Sequence, residues 1–116
     1  MSDLQAIRDA ARAFREERDW EKFQDPKSVM LALVGEVGEL AELMQWLPAD
    51  DARVRLGEEP LRTKVSDEMS DVLIYLVTLA DKLDVDLAAA ALSKIEKSAK
   101  KHPSSAVRGV APTHVT

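Results

Sequence analysis

Three features of this sequence predict an all-α fold. Apolar residues recur at helical intervals along most of its length, helix-capping residues punctuate those stretches, and no segment alternates as a strand would. Leu4, Ile7, Ala10, Ala11 and Phe14 line one side of a first helix, with charges opposite and Ser2 or Asp3 available as its cap. Residues 19–24 form a connector. Asp25-Pro26 reads as an N-cap followed by proline at the first helical position. It opens a second helix from about Lys27 to Trp46 or Leu47, stopped by Pro48. Residues 48–59 are a polar loop with some helical character, and a third helix begins near Pro60 or Leu61 and runs to about Leu83. Asp84 or Asp86 opens a fourth, which continues through Ala88–Leu92 to about Lys101. Residues 1–102 then make one helical domain. Residues 103–116, rich in Ser, Thr, Pro and Gly without periodicity, read as a polar, flexible tail.

A chain of 116 residues supplies one modest core and no second domain. The second and third helices are apolar almost all round, as Val29-Met30-Leu31-Ala32-Leu33-Val34 and Val72-Leu73-Ile74-Tyr75-Leu76-Val77 show. A helix of that kind needs neighbours on more than one face. We therefore expect a four-helix unit assembled as a dimer or a dimer of dimers. The net charge of −5 argues against a nucleic-acid polymer as ligand, but not against a single nucleotide reached through metal. There is no cysteine, which excludes disulfides, zinc thiolates and a thiol nucleophile. The first residues lack a signal pattern and no apolar stretch spans a bilayer without charge, so a cytoplasmic chain with no membrane partner is expected.

The most informative residues are four carboxylates in two helix-spaced pairs. Glu36 and Glu39 stand three apart in Gly35-Glu36-Val37-Gly38-Glu39-Leu40, and Glu68 and Asp71 three apart in Asp67-Glu68-Met69-Ser70-Asp71-Val72. Each pair shares a helix face inside apolar sequence, where unpaired acids are costly. Set on an antiparallel hairpin, the pairs face each other, and a hard divalent cation such as magnesium compensates them. A solvated stripe of accidental spacing is the competing reading. Glu42 and Asp67 extend the two rows, as outer ligands or as exposed charges. Gly35 and Gly38, each costing ~1 kcal/mol relative to alanine in a helix, mark close approach by either a helix or a ligand. Trp46 lies seven residues past Glu39, roughly 10 Å along the same helix. Tyr75 lies one turn past Asp71, and Trp20 precedes the second helix. These aromatics are either core residues or the walls of a nucleotide site with its phosphates on the metal. Lys94, Lys97, Lys100 and Lys101 form a basic strip, either solvated or facing a polyphosphate. The chain has no E-x-x-H, no Walker loop and no G-x-G-x-x-G, and its histidines, His102 and His114, lie near or in the tail.

The order E-x-x-E, 28 intervening residues, E-x-x-D resembles the MazG-like superfamily of all-α nucleoside triphosphate pyrophosphohydrolases. Glu17-Arg18-Asp19-Trp20-Glu21, the run from Leu31 to Leu43, and Asp71-Val72-Leu73-Ile74-Tyr75-Leu76-Val77 are similar to its dCTP pyrophosphatase branch, over roughly residues 4–109. The resemblance implies magnesium-dependent cleavage of a nucleoside triphosphate between its α and β phosphates, with manganese as a possible substitute. It implies Glu36, Glu39, Glu68 and Asp71 as metal ligands; to Glu39 we assign, as our own reading, the orienting or deprotonation of the attacking water. It implies Trp20, Trp46 and Tyr75 around base and sugar, Lys94 near the phosphates, and a homotetramer. The sequence departs from the branch at Ala11, where a histidine is common, at Ser98, where asparagine is usual, and at His102, where tyrosine is usual. Those departures bear on base preference more than on hydrolysis.

Overall fold

The computed structural model describes residues 2–111, and all regular structure within them is helical. Helix α1 spans Asp3–Glu17, a 3-10 turn covers Glu21–Phe23, α2 spans Pro26–Glu42 and α3 Ala49–Leu56. Helix α4 spans Leu61–Lys82, α5 Leu87–Lys101 and α6 Ser104–Val107. Packing divides the residues into two units, one ending at Val85 and one starting at Asp86. Among the described residues no helix is long and apolar enough to cross a membrane.

The helix starts follow short-range chemistry. Ser2 and Gln5 form a capping box at α1, the Ser2 hydroxyl accepting from the Gln5 N–H at 3.2 Å and the Gln5 Oε1 from the Ser2 N–H at 2.9 Å. Asp25 caps α2 by accepting from the Ser28 N–H, with Pro26 at the first position, and Asp86 caps α5 through Ala89. Helices α1 and α4 end alike. Asp19 and Asp84 take positive φ of 54° and 55°, and the next residue donates back across the last turn, Trp20 to the Arg15 carbonyl and Val85 to the Ala80 carbonyl. Both are Schellman closures with aspartate in the left-handed position.

Two segments differ from the sequence expectation. Helix α2 stops at Glu42, and residues 43–47 continue as tighter turns, Met44 donating to Ala41 and Leu47 to Met44, each at 3.0 Å. Pro48 disfavours helical geometry in the residue before it, and the chain loosens ahead of it. The expected loop 48–59 is mostly α3. Asp50 and Asp51 in its first turn and Arg53 and Arg55 in its last complement the helix dipole. Its tertiary packing falls on α4, and Leu56 lines one groove with Val65 and Met69. Helix α5 ends at Lys101, next to the expected domain edge at residue 102, and Ser104–Val107 adds a helical turn within the expected tail. Residues 112–116, and His114 with them, lie outside the described residues.

In the first unit α2 packs along α4 and α1 packs on α4. Both pairings are antiparallel, since residue numbers run oppositely across each seam: Glu36 meets Glu68 while Val29 and Ala32 share a cavity wall with Tyr75, and Arg12 meets Asp81 while Arg15 meets Thr78. The buried apolar core among the described residues is Val29 and Leu33 of α2 with Val65, Val77 and Ala80 of α4. It is thin. Leu31, Val34 and Val37 of α2 and Met69, Leu73 and Leu76 of α4 remain more than a third exposed in the single chain.

The α1–α4 seam is locked by charge. Arg15, 4% exposed, donates its Nε to Glu21 at 2.6 Å, its Nη1 to Thr78 at 3.1 Å and its Nη2 to Asp81 at 3.3 Å. Arg12 also donates to Asp81, and Lys82 to Glu21. Arg12 above all holds the Asp81 carboxyl below its ordinary range, and Lys82 and then Arg15 do the same for Glu21. Removing one partner of a buried ion pair leaves the other charge uncompensated. We expect Asp81→Ala to destabilise the chain by about 3 kcal/mol, against under about 1 kcal/mol for Asp9→Ala in an exposed pair. Urea denaturation of both variants checks this, and equal midpoints would refute the lock.

Candidate metal centre and adjoining cavity

The antiparallel seam of α2 and α4 brings the acidic pairs together. Glu36, Glu39 and Glu68 offer carboxylate oxygens that all lie within 4.8 Å of one another, Glu39 exposed and the other two half-buried. Asp71 falls outside that group but is close enough to act electrostatically on both Glu36 and Glu68. Among the described residues no ion pair reaches any of the four. The Glu36 Oε2 and Glu68 Oε2 atoms are shielded from solvent and have no hydrogen-bond partner.

The electrostatics follow from that crowding. Burial, then hydrogen bonding with Glu68, then the charges of Glu39 and Asp71 push the Glu36 carboxyl up to about 7. Glu68 is also raised, first by desolvation, with its Glu36 hydrogen bond working against the rise. Two orphaned oxygens within a group of unpaired carboxylates are a donor set that a hard cation satisfies. The residues therefore fit a divalent metal ligated by oxygen alone.

Asp71 also opens onto a cavity of about 450 Å³ between α1 and α4. Ala11, Phe14, Arg15, Trp20, Gln24 and Tyr75 contribute to its wall. A smaller cavity of about 270 Å³ lies between Phe23, Val29 and Ala32, and Trp20, Gln24 and Tyr75 line both. The Trp20 ring meets Phe14 edge-on at 5.7 Å between centroids, while the Schellman closure at Asp19 and the Arg15–Glu21 bond fix the backbone on either side. An acid cluster thus adjoins an aromatic-walled space.

Two expected residues stand elsewhere. Trp46 is 86% exposed and lines neither cavity, because α2 ends at Glu42 and the helical register that aligned it with Glu39 is lost. Lys94 is exposed on α5 in the second unit. Two others were missed. Arg15 continues the apolar row Ile7, Ala11 of α1, and a charge in such a row signals a buried partner. Gln24 lies in the connector, where no periodicity points to it.

A helical chain with an acid cluster beside an aromatic cavity has the parts of a metal-dependent nucleotide hydrolase. Residues 24–106 match the MazG nucleotide pyrophosphohydrolase domain, and the chain belongs to that family, whose members generally use divalent metals. Curated relatives include dCTP pyrophosphatase 1 of Bos taurus, 44% identical over 108 residues, which are 93% of this chain and 64% of the relative. The Homo sapiens protein of that name is 45% identical over 105 residues, 90% of this chain and 62% of the relative. The chain thus spans a little under two thirds of the length of these relatives. Among solved structures, a pyrophosphatase from Archaeoglobus fulgidus aligns with a TM-score of 0.80 at 33% identity, covering 89% of this chain and 94% of that one.

Glu36 unfolded releases its proton near the ordinary 4.5, and folded it holds the proton up to about 7. Between those values the folded state binds more protons, so metal-free stability falls as pH rises through that window. The depressed Asp81 and Glu21 act lower, their contribution being lost as pH falls below the ordinary carboxylate range. We expect the thermal midpoint in chelator to drop between about pH 5 and about pH 8, and a divalent cation to remove the drop. A metal-free midpoint that rises over this range would contradict the assignment.

Proposed function

We propose that this chain is a magnesium-dependent nucleoside triphosphate pyrophosphohydrolase acting on dCTP or 5-modified dCTP. Water and dCTP give dCMP and pyrophosphate, as in sanitation of the nucleotide pool in the cytoplasm. One observation carries the reading: Asp71, whose charge acts on the unpaired Glu36 and Glu68 of the acid cluster, lines a cavity walled by Trp20 and Tyr75. The names and identities of the dCTP pyrophosphatase 1 relatives support the substrate. Ala11 puts only a methyl group on the cavity wall, which favours keeping dUTP as a second candidate for the same reaction.

Glu36, Glu39, Glu68 and Asp71 would hold magnesium, or manganese in its place. The ion would neutralise the triphosphate and lower the pKa of a bound water. Glu39, the exposed member of the acid cluster, faces water and takes the proton of the attacking molecule. Trp20 and Tyr75 enclose the base and exclude water from its faces. Lys94, exposed on α5, carries a charge that suits a phosphate, and only the family resemblance speaks for that role. The exposed apolar faces of α2 and α4 support a homotetramer, and Trp46 would join a base pocket only where assembly covers it.

Pyrophosphate release from a panel of nucleoside triphosphates, with and without magnesium, tests the reading. We expect dCTP first, and no release in chelator. Glu39→Ala and Asp71→Ala should each reduce release to background with helicity retained. A wild-type chain inert on the whole panel would favour a silent helical oligomerisation module, and active Ala variants would refute the ligand assignment.

A further inference from the structure

Gln24 closes the connector just before α2, half-buried, in the wall that the two cavities share. Its Oε1 is shielded from solvent and accepts no hydrogen bond among the described residues. A buried carbonyl oxygen without a donor is costly, so an orphan of this kind points to a partner that arrives from outside. Among the polar neighbours on the cavity walls, neither the Trp20 indole N–H nor the Tyr75 hydroxyl donates to it, and three others are committed elsewhere. Arg15 gives its three nitrogens to Glu21, Thr78 and Asp81, the Thr78 hydroxyl donates to the Ile74 carbonyl, and the Ser28 hydroxyl donates to Asp25. A ligand lying between Trp20 and Tyr75, the two aromatics that line the same two cavities, would bring the donor that the wall does not supply.

We propose that Gln24 is a base-reading residue whose Oε1 accepts a hydrogen bond from the exocyclic amine of an aminopyrimidine nucleotide. The proposal rests on the function argued above and names what selects its substrate. An aminopyrimidine edge places an amine donor beside a ring-nitrogen acceptor, and a carboxamide presents the complementary acceptor and donor. An oxopyrimidine presents a carbonyl in place of the amine, which sets acceptor against acceptor at Oε1. Aromatic walls cannot make this choice, because every base has a π-face to stack. The acid cluster cannot make it either, since it reads only the charge common to all triphosphates.

The test pairs a change in the protein with a change in the ligand. Binding of dCTP is compared by calorimetry with binding of its 4-deamino analogue, in which hydrogen replaces the amine, with calcium in place of magnesium so that affinity is read without turnover. The wild type should bind dCTP roughly tenfold or more tightly than the analogue, and Gln24→Met, of similar volume, should bring the two within about twofold. Gln24→Glu, which keeps an acceptor of nearly the same size, should retain the preference. A Gln24→Met chain with the wild-type ratio overturns the proposal, as does a wild type that binds both ligands alike or neither. Pyrophosphate release from dCTP by the wild type, with magnesium, is scored separately. Its absence overturns the function proposed above, while the affinity ratio still decides Gln24.

Discussion

Carboxylates without counter-charges, gathered where two helices meet, set the terms for everything else in this chain. Glu36, Glu39 and Glu68 bring oxygens within 4.8 Å while both neighbouring helices press apolar side chains into the same seam. Repulsion of that kind competes with a net folding stability of only ~5–15 kcal/mol for a typical domain. The protein has two ways to relieve it. A proton can be retained, which is what the upward displacement of Glu36 and Glu68 expresses, or a cation can be taken up. The first route leaves two shielded oxygens without partners; the second satisfies them. Cation affinity and metal-free instability are two readings of one arrangement.

The element that organises this arrangement is α4. Glu68, Asp71, Tyr75, Thr78 and Lys82 follow one another at alternating intervals of three and four, a single stripe about 21 Å long. Glu68 belongs to the acid cluster, Asp71 lies beside it and opens onto the larger cavity, Tyr75 walls both cavities, Thr78 accepts from Arg15, and Lys82 pairs with Glu21. Asp81, beside the end of the stripe, completes the ion network. That network holds the turn carrying Trp20 and Gln24 against α4, so the cavity wall is positioned from the same helix that presents the acids. Arg12 and Arg15 of α1 are placed at the α1–α4 seam, and among the described residues neither of them pairs with the carboxylates of the α2–α4 seam.

What was legible in the sequence was what depends on a few neighbouring residues. Ser2, Asp25 and Asp86 cap helices through bonds spanning three residues, and the two acidic pairs declare themselves by spacing inside apolar runs. The extent of α3 was not legible, because eight residues make a marginal helix alone and its packing is against α4. Trp46 shows the opposite error. A periodicity projected seven residues forward assumes an unbroken helix, and α2 loosens at Leu43, ahead of Pro48, which turns the ring into solvent. Arg15 and Gln24 depend on partners far away in the chain or on a cavity, and neither leaves a local signature beyond a charge out of pattern in α1.

The distribution of aromatic side chains argues that the cavity is more than a packing defect. The sequence has only five aromatics, and Phe14, Trp20, Phe23 and Tyr75 all line one cavity or both. The buried core, by contrast, is built entirely from valine, leucine and alanine. Aromatic rings contribute large burial energies, so a chain selected for stability alone would place them in a core this thin. Here Phe14, Trp20 and Phe23 stay 43–64% exposed around an open space lined by the orphaned Oε1 of Gln24. Rings held open beside an acid cluster have little to do for the fold. On the function proposed above they would serve as faces for a planar group whose charged end lies over the carboxylates, with charge and base recognised by different residues.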